Sequence, residues 1–169
     1  MLMRPQTLER LGGIQAIRSQ LIDDCALARA TKAAGGSVWL GLTRSARSTR
    51  SYQSFAEIGR MISRSAFNQL HHSYWLLVVT MLGLCLTYLL PPLLLFAGRA
   101  LTVACGAAAW TLMAIAYAPM IRFYRMPLWW CMSLPAVAAF YCAATLHSAL
   151  QYRLRRGGRW KGRIQDVVV

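Results

Sequence analysis

Acidic side chains are scarce in this chain: five Asp and Glu face nineteen Lys and Arg across 169 residues, a formal net charge of +14. Charge of either sign is nearly missing from Ser73 to Tyr152, where only Arg99, Arg122 and Arg125 occur. A water-soluble domain cannot leave eighty residues so bare, because its outer faces must be solvated. The five cysteines (Cys25, Cys85, Cys105, Cys131 and Cys142) include no C-x-x-C and no Cys/His spacing. That excludes a disulfide framework or a zinc site, and they read as small apolar residues. Met1 to Arg18 contains no apolar core, so no cleavable signal peptide is expected. No groove-reading motif accompanies the positive charge, so nucleic acid is not an expected partner. The basic residues instead flank apolar segments, as residues facing anionic lipid on the cytoplasmic side do.

What is present is a water-facing half, residues 1–72, followed by a membrane half. It carries ten of the nineteen basic groups and four of the five acidic ones. A spanning helix needs about 20 mostly apolar residues. Three segments qualify: Tyr74 to about Ala97, about Ala100 to Ile121, and about Leu128 to Gln151. Pro91 and Pro92 should kink or shorten the first. Gly98 and Arg99 should form a tight hairpin between the first two. Tyr74, Trp75, Tyr124, Trp129, Trp130 and Tyr152 cluster near segment ends, where amphipathic rings meet the interface. Three full crossings would put the chain ends on opposite faces. Yet the water-facing half, Arg122, Arg125 and the basic tail Arg153–Arg163 all favour the cytoplasm. Either one segment is re-entrant or interfacial, or the tail is exported despite its charge.

Residues 1–53 read as a small piece of α/β structure. Pro5 to Leu11 suits a short helical turn stopping at Gly12-Gly13. Asp23 and Asp24 should cap a helix over CALARATKAA that closes at Gly35-Gly36. Ser37 to Leu42 (SVWLGL) resembles a short strand, and Thr43 to Gln53 a basic loop. Ser54 and Glu57 fit a capping box. Beyond them Phe55, Ile58, Met61, Ile62, Ala66 and Leu70 recur at helical spacing, with Arg60 and Arg64 on other faces. This basic amphipathic helix, residues 54–72, leads into the first span and is expected to lie in the membrane interface; a core helix is the alternative. The fold class is mainly α, with multi-pass membrane helices over 73–152, an α/β remnant over 1–53 and a basic tail over 153–169.

For chemistry, the run from Leu21 to Ala28 (LIDDCALA) stands out. An Asp-Asp pair reads first as a helix cap, but adjacent carboxylates can also deprotonate a hydroxyl nucleophile. His71 and His72 sit at a membrane boundary and His147 is alone in an apolar helix, so none suggests a ligand set. The spans hold too few polar groups for a transporter.

The order LERLGGIQAIRSQLIDDCALARATK, SVWLGLTRSARS, SFAEIGRMISRSAFNQL and GGRWKGR resembles the C-terminal part of membrane-bound family 2 glycosyltransferases. Within these the pattern is most similar to the hopene-associated enzymes of bacterial hopanoid gene clusters. The resemblance implies transfer of a sugar from a nucleotide-sugar to a lipid acceptor in the bacterial inner membrane, with the N-terminal part cytoplasmic. Ile22-Asp23-Asp24 is similar to the family's (T/E)-(E/D)-D motif, which makes Asp24 the general base and Asp23 its support. Glu57-Ile58-Gly59-Arg60-Met61 lies where relatives have Q-x-x-R-W. That implies substrate and diphosphate binding by Arg60, with Glu57 and Arg64 beside it. Family members carry a preceding nucleotide-binding half with a metal-binding D-x-D, which these 169 residues do not contain. No cofactor is therefore expected in this chain, and a divalent metal only with that other half. The chain is expected to be inactive alone. The alternative is a non-catalytic membrane subunit, or a remnant, completing a separately encoded half.

Overall fold

In the computed structural model, the described residues are 2–17, 22–46, 49 and 52–154, with the backbone of 159–160 and 163–164. Most of the basic tail, Leu21 of the acidic run, and Arg47, Ser48, Arg50 and Ser51 of the basic loop lie outside them. The chain begins with α1 (Pro5–Arg10), whose proline occupies a first-turn position that needs no N–H donor. It stops at Gly12-Gly13 as expected, the Gly13 N–H donating to the Leu8 carbonyl at 2.9 Å. A 3₁₀ turn (Ile14–Ile17) follows, then α2 (Asp23–Ala33).

The two acids do not cap α2. Ile22 occupies the cap position with no side-chain bond, and Asp23 and Asp24 are the first two residues of the helix itself. Each accepts locally instead: Asp23 Oδ1 from the Asp24 N–H at 3.0 Å, and Asp24 Oδ1 from the Cys25 N–H at 2.8 Å. The other end closes as expected. Gly35, at φ 75°, takes the left-handed conformation that side-chain-bearing residues resist. Gly36 and Gly35 then donate to the Thr31 and Lys32 carbonyls at 2.8 and 3.0 Å.

Ser37 to Leu42 forms no strand. The run is irregular and exposed, with Trp39 and Leu40 almost bare. A strand needs a partner for its N–H and C=O groups, and no second strand lies within residues 22–46. The expected α/β remnant is accordingly helical and irregular. Among the described residues the strand pairing is β1 (Arg159–Trp160) with β2 (Arg163–Ile164), antiparallel and two residues each.

α3 (Phe55–Gln69) opens on Ser54, whose hydroxyl accepts from the Glu57 N–H at 3.3 Å. Glu57 reaches back one residue further than in a standard capping box, its Oε2 accepting from the Gln53 N–H at 3.1 Å. The apolar stripe of α3 is partly covered by α7 (Leu134–Arg153). Phe55 meets Phe140 edge-on at 6.3 Å, and the Phe67 N–H donates to the Ser148 hydroxyl at 3.1 Å. These contacts pair the helices in parallel over twelve residues of α3, about 18 Å. Phe55 and Met61 remain exposed.

A tight turn follows, with His71 and His72 both at positive φ. Ser73 caps α4 (Tyr74–Leu84) by accepting from the Leu76 N–H at 3.3 Å. The helix widens into a π turn (Cys85–Leu89) before α5 (Leu90–Leu94). Pro91 and Pro92 explain the widening. Their rings clash with the carbonyls four residues back, and neither donates an N–H, so the preceding turn must open. Tyr74–Leu94 is long and apolar enough to cross a membrane, as are α6 (Ala100–Phe123) and the unit Leu128–Arg153. That unit combines a 3₁₀ turn (Leu128–Ser133) with α7.

Gly98, at φ 72°, makes the hairpin into α6. Gly106 lets α5 and α6 meet: a Cβ there would lie 2.7 Å from the Pro91 carbonyl oxygen and 2.8 Å from Leu94 Cβ. Gly106→Ala should therefore destabilise. Relief of glycine's backbone entropy is worth about 0.5–1 kcal/mol, but forcing two helices apart costs about 1–3 kcal/mol. Thermal unfolding in detergent should show a lower midpoint; an unchanged or raised one would contradict this packing.

Two clusters hold the bundle. Phe67, Leu77 and Ala149 join the end of α3, the start of α4 and the end of α7, with Leu70, Met81 and Tyr152 around them. Ala114, Ile121 and Cys131 join α6 to the 3₁₀ turn, where Trp130 packs and the Trp110 Nε1–H donates to the Met132 carbonyl at 3.3 Å. Of the boundary aromatics, Tyr74, Trp75, Tyr124 and Trp129 stay exposed, while Tyr152 is drawn into the first cluster.

Candidate functional site

The first turn of α2, one face of α3 and the facing sides of α4, the π turn and α7 enclose a cavity of about 860 Å³. That volume is in the range of small-molecule sites. Its walls divide by element. Asp23 and Asp24 come from α2, and Arg64 with Met61, Ile62 and Ser65 from α3. Leu84, Tyr88, Leu134, Val137, Ala138 and Tyr141 come from the apolar segments. The wall therefore combines charged groups from α2 and α3 with mostly apolar side chains from the spans.

Local structure explains why the charges arrive there. Both carboxylates are exposed, and their bonds to the Asp24 and Cys25 N–H groups aim them from the opening turn of the helix. Arg64 lies one helical turn beyond Arg60 on α3, half-buried because α7 covers the neighbouring Phe67.

The sequence-level set divides. Asp23, Asp24 and Arg64 line one cavity. Arg60 is exposed and is not part of that wall, and neither is Glu57, whose carboxylate is engaged at the Gln53 N–H. Sequence reasoning missed the wall given by the spans. Leu134, Val137, Ala138, Tyr141 and Thr145 fall on one face of α7 at three- and four-residue spacing, and that pattern was available. So was the presence of Thr80 and Tyr88 in an otherwise apolar segment. The Thr145 hydroxyl donates to its own helix, at the Tyr141 carbonyl 2.8 Å away, which leaves Tyr88 and Tyr141 as polar side chains among the apolar ones of the spans.

The histidines have structural surroundings. His72 stacks on Tyr152 at 4.2 Å, and Gln151 and His147 hydrogen-bond across one helical turn at 3.1 Å. The described residues contain no group of three His, Cys, Asp or Glu side chains placed to hold a metal ion. Asp23 and Asp24 alone do not make one.

The chain matches the family model described as Glycosyl transferase family 21 over residues 1–167. The family is thus 21, where the motif pattern resembles family 2. No curated protein and no solved structure matches the chain.

Proposed function

The chain belongs to glycosyl transferase family 21, and on that premise we propose that it carries the acceptor side of a sugar transfer from a nucleotide-sugar to a lipid. The observation that carries this is the divided cavity, which joins Asp24 and Arg64 to an apolar wall contributed by membrane-type helices. A lipid hydroxyl is the acceptor that such a space suits. Its chain would lie against Leu84, Leu134 and Val137 with the hydroxyl at the carboxylates.

In this mechanism Asp24 removes the hydroxyl proton as the oxygen attacks the anomeric carbon. The new C–O bond forms as the bond from that carbon to the diphosphate oxygen breaks, with inversion, and the nucleoside diphosphate leaves. Asp23 supports Asp24. Arg64 offsets the charge growing on the leaving group, while Arg60 and Glu57, outside that wall, are left to act on the donor bound by the nucleotide half. A D-x-D is absent from these 169 residues, so donor binding rests on a nucleotide-binding half contributed from elsewhere. The bare run Ser37 to Leu42 supports that, being strand-like in composition and, among the described residues, without a ladder partner. The resemblance to hopene-associated enzymes makes a hopanoid-type lipid the first acceptor to assay. Membranes holding the chain and a nucleotide half should move label from a nucleotide-sugar into the organic phase. No transfer to any lipid fraction would overturn the reading.

The first cluster supports a placement in the membrane. Phe67 contacts both Tyr74 and Tyr152, at 5.2 and 5.3 Å between ring centroids, so α7 ends beside the start of α4. α7 therefore runs antiparallel to α4, with the end of one beside the start of the other. We place the start of α4 and the end of α7, and with it the basic tail, on the cytoplasmic face of a bacterial inner membrane. Fusions at Val169 should fluoresce with green fluorescent protein and be inactive with alkaline phosphatase. The reverse pattern would refute this placement.

A further inference from the structure

We propose that Arg44 and Arg125 form a binding site for a phosphate group at the membrane boundary, separate from the cavity holding Asp24. The two arginines, with Thr43, Ala46 and Tyr124, all exposed, line an open surface depression of about 480 Å³. They are 81 positions apart in sequence, and the fold converges them where α6 ends. No Asp or Glu shares that wall among the described residues. Two guanidinium groups brought to one depression repel each other, and an anion between them reverses the sign of the interaction.

Two further observations point the same way. Arg44 stands over the Phe123 ring, 5.5 Å from its centroid. A cation–π contact of this kind fixes the guanidinium while leaving its N–H donors available. Arg125 occupies the left-handed turn that closes α6, at φ 55°, with its N–H donating to the Arg122 carbonyl and the Met126 N–H to the Ile121 carbonyl, both at 3.0 Å. Glycine or asparagine is the residue that suits such a position. An arginine there holds a backbone conformation that side-chain-bearing residues resist, and such strain gathers at functional sites.

The ligand chemistry is a phosphate mono- or diester, held by paired guanidinium donors. It has two sources: an anionic lipid headgroup, suggested by the exposed Tyr124 in its wall, or a free diphosphate. The test uses the full chain in detergent. Native mass spectrometry measures retention of phosphatidylglycerol against phosphatidylcholine, and thermal unfolding measures the shift given by inorganic pyrophosphate. Arg44→Gln combined with Arg125→Gly removes both cations while giving the α6 turn its preferred residue, so the fold is not put at risk there. Arg4→Gln with Arg10→Gln removes equal charge elsewhere.

We expect the Arg44/Arg125 variant to bind its anion roughly 30-fold more weakly and the Arg4/Arg10 variant to match wild type. Selective loss of phosphatidylglycerol retention identifies a headgroup site. Selective loss of the pyrophosphate shift identifies a free-phosphate site. Equal binding of both probes by wild type and the Arg44/Arg125 variant, or equal weakening in the two variants, would overturn the proposal.

Discussion

Asp24→Asn should lower the turnover of the transfer-competent enzyme by about 10²–10⁴-fold, the usual worth of a positioned general base. The substitution is close to isosteric. The asparagine carbonyl can still accept from the Cys25 N–H, the bond that Asp24 Oδ1 makes at 2.8 Å. What it cannot do is take a proton from an attacking hydroxyl. Loss of negative charge from the first turn of α2 weakens that helix by only about 0.3–1 kcal/mol. Kinetic and structural roles therefore separate cleanly. If Asp24 serves only the helix terminus, the variant shows a slightly lower unfolding midpoint and an unchanged rate. If it is the base, the midpoint is nearly unchanged and the rate collapses. Asp23→Asn is the internal control, since Asp23 occupies the same turn and accepts from the Asp24 N–H. Its effect on rate should be much smaller, about tenfold or less on the same scale. The measurement is the initial rate of labelled sugar entering organic-soluble product, with circular dichroism on the same samples. Equal rates for wild type and Asp24→Asn would remove Asp24 from the chemistry.

Much of this architecture was legible because membrane segments are written in composition. Charge is missing from Ser73 to Tyr152 except at three arginines, and the three long apolar helices follow within a few residues of where that absence puts them. Local punctuation was legible too: Gly12-Gly13, Gly35-Gly36, Ser54 and Gly98 act through their own backbone or the next turn. Failures came where the outcome depends on a distant partner. SVWLGL has the residues of a strand, yet a strand exists only when another edge pairs with it. Asp23 and Asp24 look like caps, but the helix starts one residue earlier than a cap reading requires. The site shows the same division. The Asp-Asp pair was visible as a candidate from its spacing. Of the apolar wall, the shared face of Leu134, Val137, Ala138 and Tyr141 was legible from spacing, but not its place opposite α3 and α4, because pairing between helices is set by packing rather than by any one segment's pattern. Arg64 rather than Arg60 lines the cavity for that reason: α7 docks at Phe67 and fixes the rotation of α3.

That docking makes Phe67→Ala the most destructive single change expected in the described fold. Phe67 is 1% exposed, and its ring lies 5.6 Å from His72, 5.2 Å from Tyr74 and 5.3 Å from Tyr152. Removing a buried phenyl ring costs about 3–5 kcal/mol, partly from lost transfer energy and partly from the cavity left behind. The three ring contacts account for about 0.5–1.5 kcal/mol each within the total. Phe67→Leu keeps most of the apolar volume and should cost distinctly less, so the pair separates filling from ring geometry. The consequence reaches beyond stability. Phe67 ties the end of α3 to the start of α4 and the end of α7, and α3 carries Arg64 to the cavity. Phe67→Ala should therefore lower the unfolding midpoint in detergent and reduce transfer together, with Phe67→Leu restoring most of both. It also decides between the two environments that the amphipathic pattern of α3 allows. A helix lying free in the headgroup layer would bury Phe67 in lipid rather than against Ser148 and Tyr152, and alanine there would weaken membrane contact without moving the midpoint. An unchanged midpoint for Phe67→Ala would show that α3 leaves α7 for the interface, and with it that Arg64 leaves the cavity.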